Sequence, residues 1–119
     1  MIKLVVYIAA GFGVAATAAA ADFSGRWRIE ATIGGNPAAI ECVLTQTRDV
    51  LAGTCRPAQF DPSEITGAVS GSSAKWGYDV VFNGNTNHVE YEAVLGADGK
   101  LSGTLRLGPM PVTFTAAKQ

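Results

Sequence analysis

With 119 residues, 9 of them basic and 10 acidic, the chain is close to neutral, and 48% of it is hydrophobic. That balance argues against nucleic acid, which wants a clustered basic face, and equally against an anionic membrane surface. The length suits one small domain, and the only two cysteines, Cys42 and Cys55, allow at most one internal disulfide.

Residues 1–21 read as a secretory signal peptide: Lys3 gives the positive start, Leu4 to Val14 the apolar run, and Ala15 to Ala21 a small-residue stretch suited to cleavage near Ala21/Asp22. A transmembrane helix is the competing reading, but it needs roughly 20 strongly apolar residues, and this run dissolves into alanine and threonine. No lipobox cysteine follows it. The expected product, residues 22–119, is a periplasmic or secreted protein free of the membrane once the signal is removed, in a compartment where a disulfide persists.

From Arg26 to Ile33 the residues Trp27, Ile29, Ala31 and Ile33 alternate with polar ones, the pattern of a half-buried strand. Gly34-Gly35-Asn36-Pro37 is a turn, followed by a second strand from Ala38 to Thr47 and a third from Val50 to Arg56. If Arg48-Asp49 is a two-residue turn, Thr47 faces Val50, Leu44 faces Gly53 and Cys42 faces Cys55 at a site of close side-chain approach, so a cross-strand disulfide fits. Arg-Asp is not a preferred turn pair, which leaves a longer loop with a compensating bulge as the alternative. Pro57 to Ser63 is the longest irregular stretch. Further strands follow at Glu64 to Ser70, at Lys75 to Phe82, at His88 to Leu95, from Leu101 to Leu107 and from Met110 to Ala116. Asn83 to Asn87 is the clearest hairpin loop among their connections.

Short strands that are apolar on one face only must form a sandwich or close into a barrel. Nearly every connection here is hairpin-short, so the expectation is all-β: a single antiparallel up-and-down eight-stranded β-barrel with one disulfide. Inward Gly53, Gly67 and Gly103 allow the sharp coiling of a small barrel.

Gly25-Arg26-Trp27 resembles the G-x-W that opens the calycin barrels, the lipocalins and avidins, and the hairpin from Lys75 to Leu95 is similar to part of the avidin meander. The layout from Phe23 through Cys42 and Cys55 also looks like the periplasmic inhibitors of serralysin-type metalloproteases. The resemblance implies a barrel that binds rather than catalyses. Too few tryptophans are present for the avidin biotin box, so biotin is not the implied ligand.

The candidate chemistry follows. His88, Glu90 and Glu92 lie at i, i+2 and i+4 on one strand face, where an imidazole and two carboxylates could serve zinc or a proton. Val89, Tyr91 and Leu95 occupy the other face, so the simpler reading is a solvent face. Neither a catalytic nor a metal site is expected, and no cofactor, because no nucleophile or phosphate-loop motif accompanies the serines and glycines. Arg26 and Arg28 beside Glu30, and Lys75 beside Asp79, read as surface pairs. The stronger candidate is an aromatic ligand lining of Trp27, Trp76, Tyr78, Phe82 and Tyr91, weighed against a filled core. The expected partner is therefore a small hydrophobic molecule. The runner-up is a secreted or periplasmic protein that meets the mature N-terminus and loops 57–63 and 83–87.

Overall fold

The computed structural model describes residues 21–119, so the signal peptide expected over residues 1–21, apart from its final residue, lies outside the described residues. Eight strands follow one another: β1 Gly25–Ile33, β2 Asn36–Thr47, β3 Val50–Pro57, β4 Ser63–Ser70, β5 Ser73–Phe82, β6 Asn85–Leu95, β7 Leu101–Leu107 and β8 Met110–Lys118. Each pairs antiparallel with its sequence neighbours, and β8 returns to β1, closing an up-and-down barrel. The expected register holds: Thr47 opposes Val50, Leu44 opposes Gly53, and Cys42 opposes Cys55. Those two cysteines are bonded, with Cα atoms 4.0 Å apart.

Arg48 and Asp49 form the tight turn itself, with Arg48 at φ 61°. Arginine tolerates that conformation because its carbonyl accepts the Gln46 side-chain amide at 2.8 Å, while the Asp49 carbonyl accepts the Val69 N–H at 2.8 Å. Two other turns are tighter than the sequence pattern suggests. Gly34 and Gly35 have φ of 59° and 82°, and Asn83 and Gly84 have 52° and 77°. Both central residues are left-handed, the geometry whose twist matches the flanking strands. Pairing therefore runs right up to the turn, and β2 begins at Asn36 and β6 at Asn85, each two or three residues earlier than expected.

Alternation sorts the side chains. Inward residues such as Trp27, Ile29, Leu44, Leu51, Trp76, Tyr91 and Leu105 are buried, and among the described residues no polar or charged residue is. The inward glycines mark where strands approach most closely. A Cβ on Gly53 would strike the Val43 carbonyl, and one on Gly67 would strike the Lys75 carbonyl and the Trp76 Cβ. These positions give the wall its curvature by letting backbone stand where a side chain would.

The register also reveals that the barrel is built twice. Trp27 opposes Cys42 as Trp76 opposes Tyr91, and Ile29 opposes Ile40 as Tyr78 opposes Val89. Ile33 opposes Asn36 as Phe82 opposes Asn85. Cys42 opposes Cys55 as Tyr91 opposes Leu105, and Leu44 opposes Gly53 as Ala93 opposes Gly103. Along this correspondence Trp27, Asn36, Glu41, Leu51, Gly53, Thr54 and Arg56 fall on Trp76, Asn85, Glu90, Leu101, Gly103, Thr104 and Arg106, identical in every case. The chain is thus an internal repeat of a four-stranded meander, β1–β4 and then β5–β8.

The two seams joining the halves are alike as well. Pairing of β1 with β8 covers Trp27 to Ala31, and pairing of β4 with β5 covers Thr66 to Ser70. Among the described residues the backbone pairing stops there: Thr32 and Ile33 have no partner on β8 and Ser63 to Ile65 none on β5, although the Ser63 hydroxyl donates to the Asp79 carbonyl at 3.3 Å. Both unlaced stretches lie at the same end of the barrel, where the halves part around a mouth ringed by residues 34–35, 58–62, 83–84 and 108–109.

Candidate functional site

The two ends of the barrel differ. At the end away from the mouth, Phe23 turns inward and is completely buried. Its N–H donates to the Gln46 side-chain oxygen at 2.8 Å, the Gln46 N–H donates to the Ser24 hydroxyl at 2.8 Å, and its carbonyl accepts the Trp27 indole N–H at 2.8 Å. Gln46 is thus spent on closing this end. The repeat makes the asymmetry plain. In the second half the residue before Ser73 belongs to a turn, and the Ser72 carbonyl there accepts the Leu95 N–H instead. The Trp76 indole N–H, equivalent to that of Trp27, is left buried with no hydrogen-bond partner.

The middle of the barrel is an aromatic layer. Trp76 stacks on Tyr91 with ring centroids 4.9 Å apart and planes 7° from parallel, Tyr78 lies 5.8 Å from Tyr91, and Phe114 meets Tyr91 edge-on at 5.6 Å. Such contacts add to area burial and fix ring orientation. The Tyr78 and Tyr91 hydroxyls are hydrogen-bonded to each other at 2.7 Å. Burial pushes the Tyr78 phenol up to about 12 and raises Tyr91 as well, so both are un-ionised at neutral pH.

Above this layer, toward the mouth, lies a cup of about 620 Å³. Its walls come from both halves: Ile33, Ala38 and Ile40 from the first, Val80, Val89 and Leu107 from the second. Phe60, on the loop after β3, stands at its rim with Gln59 and Asn87. Tyr78 is at its floor, and among the described residues no carboxylate, amine, guanidinium or imidazole lines it. A second depression of about 570 Å³ runs over the outer wall beside Arg28, Glu30 and Thr113, but it is the more open of the two and encloses less.

Of the aromatic residues singled out from the sequence whose side chains are described, Tyr78 alone borders the cup. Trp27, Trp76 and Tyr91 are wholly buried in the layers beneath it. Phe82 ends β5, and its side chain lies outside the described residues. The aliphatic lining was not singled out. Its signal is position: these are inward residues on the strand ends that lead into the mouth turns, rather than the largest inward residues.

The polar constellation on β6 divides. His88 Nδ1 is 2.8 Å from an Asp79 carboxylate oxygen across the hairpin, and Nε2 is 2.6 Å from Glu90. Glu92 turns away to Lys75 at 3.5 Å, so Lys75 does not pair with Asp79. The hydrogen bonds that the ring donates to Asp79 and then to Glu90 raise the His88 pKa. All three groups are largely exposed, and no cluster of metal-ligating side chains occurs among the described residues. Arg28 pairs with Glu30 at 3.1 Å, and Arg26 reaches Glu41 at 3.8 Å; such exposed pairs contribute little.

The chain matches no family model, no curated protein and no solved structure. The rest therefore depends on the molecule's own geometry: a closed eight-stranded barrel of calycin-like layout, stapled once, plugged at one end and hollow at the other. The disulfide accords with an oxidising compartment. No helix among the described residues is long and apolar enough to cross a membrane.

Proposed function

We propose that this is an exported binding protein that takes a small hydrophobic molecule into the open end of its barrel and performs no chemistry on it. The observation that carries the reading is the cup of about 620 Å³, apolar on its walls and closed below by a buried aromatic layer. Its volume falls in the range of small-molecule sites, and concave apolar surface with a few polar groups is what such sites have in common. The outer wall suits a binding protein of this kind that works in water. Arg26, Arg28, Glu30, Glu64, Lys75 and Arg106 stand on it exposed, where a lipid-embedded barrel needs an apolar band. The His88 group supports binding over catalysis because it lies on that outer wall and not in the cup.

Binding of N-phenylnaphthylamine, an apolar dye that brightens out of water, tests the proposal together with Ala38→Trp. Ala38 faces the cup, and an indole there fills it. The wild-type protein should brighten the dye saturably, and the variant should fold but lose this. Dye binding that Ala38→Trp leaves intact, or none in the wild type, refutes the reading.

A second reading, a module that docks a secreted protein such as a serralysin-type protease, has one observation in its favour. Loops 57–63 and 83–87 reach the same end of the barrel, and Gln59, Phe60 and Asn87 stand together at the rim. Undiminished activity of such a protease in the presence of excess protein counts against it.

A further inference from the structure

The Tyr78 phenol at the floor of the cup is hydrogen-bonded to the Tyr91 phenol buried beneath it. Two hydroxyl groups carry two hydrogens, and the mutual bond uses one. Which hydrogen is left over follows from surroundings. Tyr91 is fully buried and does not border the cup, whereas Tyr78 does. If Tyr78 were the donor, the Tyr91 hydrogen would be stranded among Trp76 and Phe114 without an acceptor, an expensive arrangement in an apolar core. Tyr91 is therefore the donor, and the Tyr78 oxygen accepts. Among the described residues, the Tyr78 hydrogen is then the polar hydrogen presented at the bottom of a mainly apolar cup.

The remaining lining limits what can meet it. Ile40, Val80, Val89, Leu105 and Leu107 offer no polar atom, and the amides of Gln59 and Asn87 stand toward the rim. With no lysine, arginine or histidine lining the cup, a carboxylate driven to the floor would be desolvated without a counter-charge; with no aspartate or glutamate, the same holds for an ammonium group.

We propose, building on the ligand-binding reading above, that the cup selects an uncharged, mainly apolar molecule with a hydrogen-bond acceptor at its leading end, of the ketone or ester class, whose carbonyl oxygen accepts from the Tyr78 hydroxyl. The apolar remainder lies against the aliphatic walls and points to the mouth. Specificity against the plain hydrocarbon comes from Tyr78, since filling the cup without an acceptor leaves that hydroxyl hydrogen unmatched, and sites built around such a donor discriminate strongly. Tyr91 satisfies the Tyr78 oxygen as an acceptor, and the free Tyr78 hydrogen does not depend on it once the Tyr91 hydroxyl is removed.

Three probes of nearly the same shape test this on the purified, disulfide-bonded protein by equilibrium titration: acetylnaphthalene, isopropylnaphthalene and naphthoate. The ketone is expected to bind about tenfold more tightly than the hydrocarbon, the worth of one hydrogen bond in a desolvated site, and naphthoate more weakly than either. Tyr78→Phe should bring the ketone-to-hydrocarbon ratio to about one while leaving hydrocarbon binding in place, and Tyr91→Phe should keep the preference. The wild-type ratio decides the matter even if a variant fails to fold. Equal binding of ketone and hydrocarbon overturns this inference but leaves the cup as a ligand site, and so does a preference for naphthoate. A preference that survives Tyr78→Phe also overturns it. Binding of none of the three overturns both readings.

Discussion

Reducing the Cys42–Cys55 bond sets the repeat against the staple. The loop it closes spans residues 42 to 55, a sequence separation of 13, and for a closed loop of that size the chain-entropy argument gives about 3 kcal/mol at 25 °C. At roughly 4–8 °C of melting temperature per kcal/mol for a domain of this size, the reduced protein should melt about 12–24 °C lower. It should still fold. The equivalent strands β6 and β7 hold the same register with Tyr91 opposite Leu105 and no covalent link, so the pairing of β2 with β3 does not need the bond to be specified. Cys42→Ala with Cys55→Ala complicates the comparison by emptying core volume, so reduction of the wild type, kept in excess reductant with both thiols free, is the cleaner perturbation. Denaturation followed by circular dichroism and tryptophan fluorescence reads both quantities. An unchanged midpoint refutes the entropy estimate, and loss of native β-structure in water on reduction refutes the claim that register is independent of the staple.

Two further predictions follow from the asymmetries between the halves. Trp27→Phe should destabilise more than Trp76→Phe by about 1 kcal/mol, because the first removes a hydrogen bond to the Phe23 carbonyl and the second removes an N–H that has no partner; equal losses in urea denaturation contradict this. At His88 both ring nitrogens face carboxylates, and only the imidazolium can donate to both. Its folded pKa lies above its ordinary 6.5, so the stabilisation it provides is complete below that pH and disappears as pH rises through the raised value. The proton NMR titration of the His88 ring should have its midpoint above 6.5 and move down in Asp79→Asn; a midpoint at or below 6.5 excludes the double clamp.

The strands, their inner faces and the register around the disulfide were legible because a period of two leaves little freedom once one turn is placed: fixing Arg48-Asp49 fixes Cys42 opposite Cys55. The barrel itself followed from short connections. What alternation does not carry is height along the axis. Trp27, Trp76 and Tyr91 face inward as expected, yet whether an inward residue belongs to packed core or open cup depends on where its strand sits between plug and mouth. That in turn depends on Phe23 closing one end and on the seams stopping short at the other. Likewise, His88, Glu90 and Glu92 share a face, but across the hairpin Asp79 stands opposite His88 and Lys75 opposite Glu92, and those neighbours divide the set. The repeat was present in the sequence as Leu-x-Gly-Thr-x-Arg at residues 51–56 and again at 101–106. It stands out only when the pairings are laid side by side, because Cys42 and Cys55 on one side answer to Tyr91 and Leu105 on the other.

That unequal doubling has a consequence for how the protein can change. The first copy carries the covalent staple and the Phe23 plug; the second carries the Tyr78–Tyr91 pair and much of the aromatic stack. The fastening thus sits on the first stretch of chain, and the floor of the cup on the second. Substitutions at Val80, Val89 or Leu107 can reshape the cup while the fastening on the opposite half remains as it was, so the second meander is free to drift in shape under cover of the first.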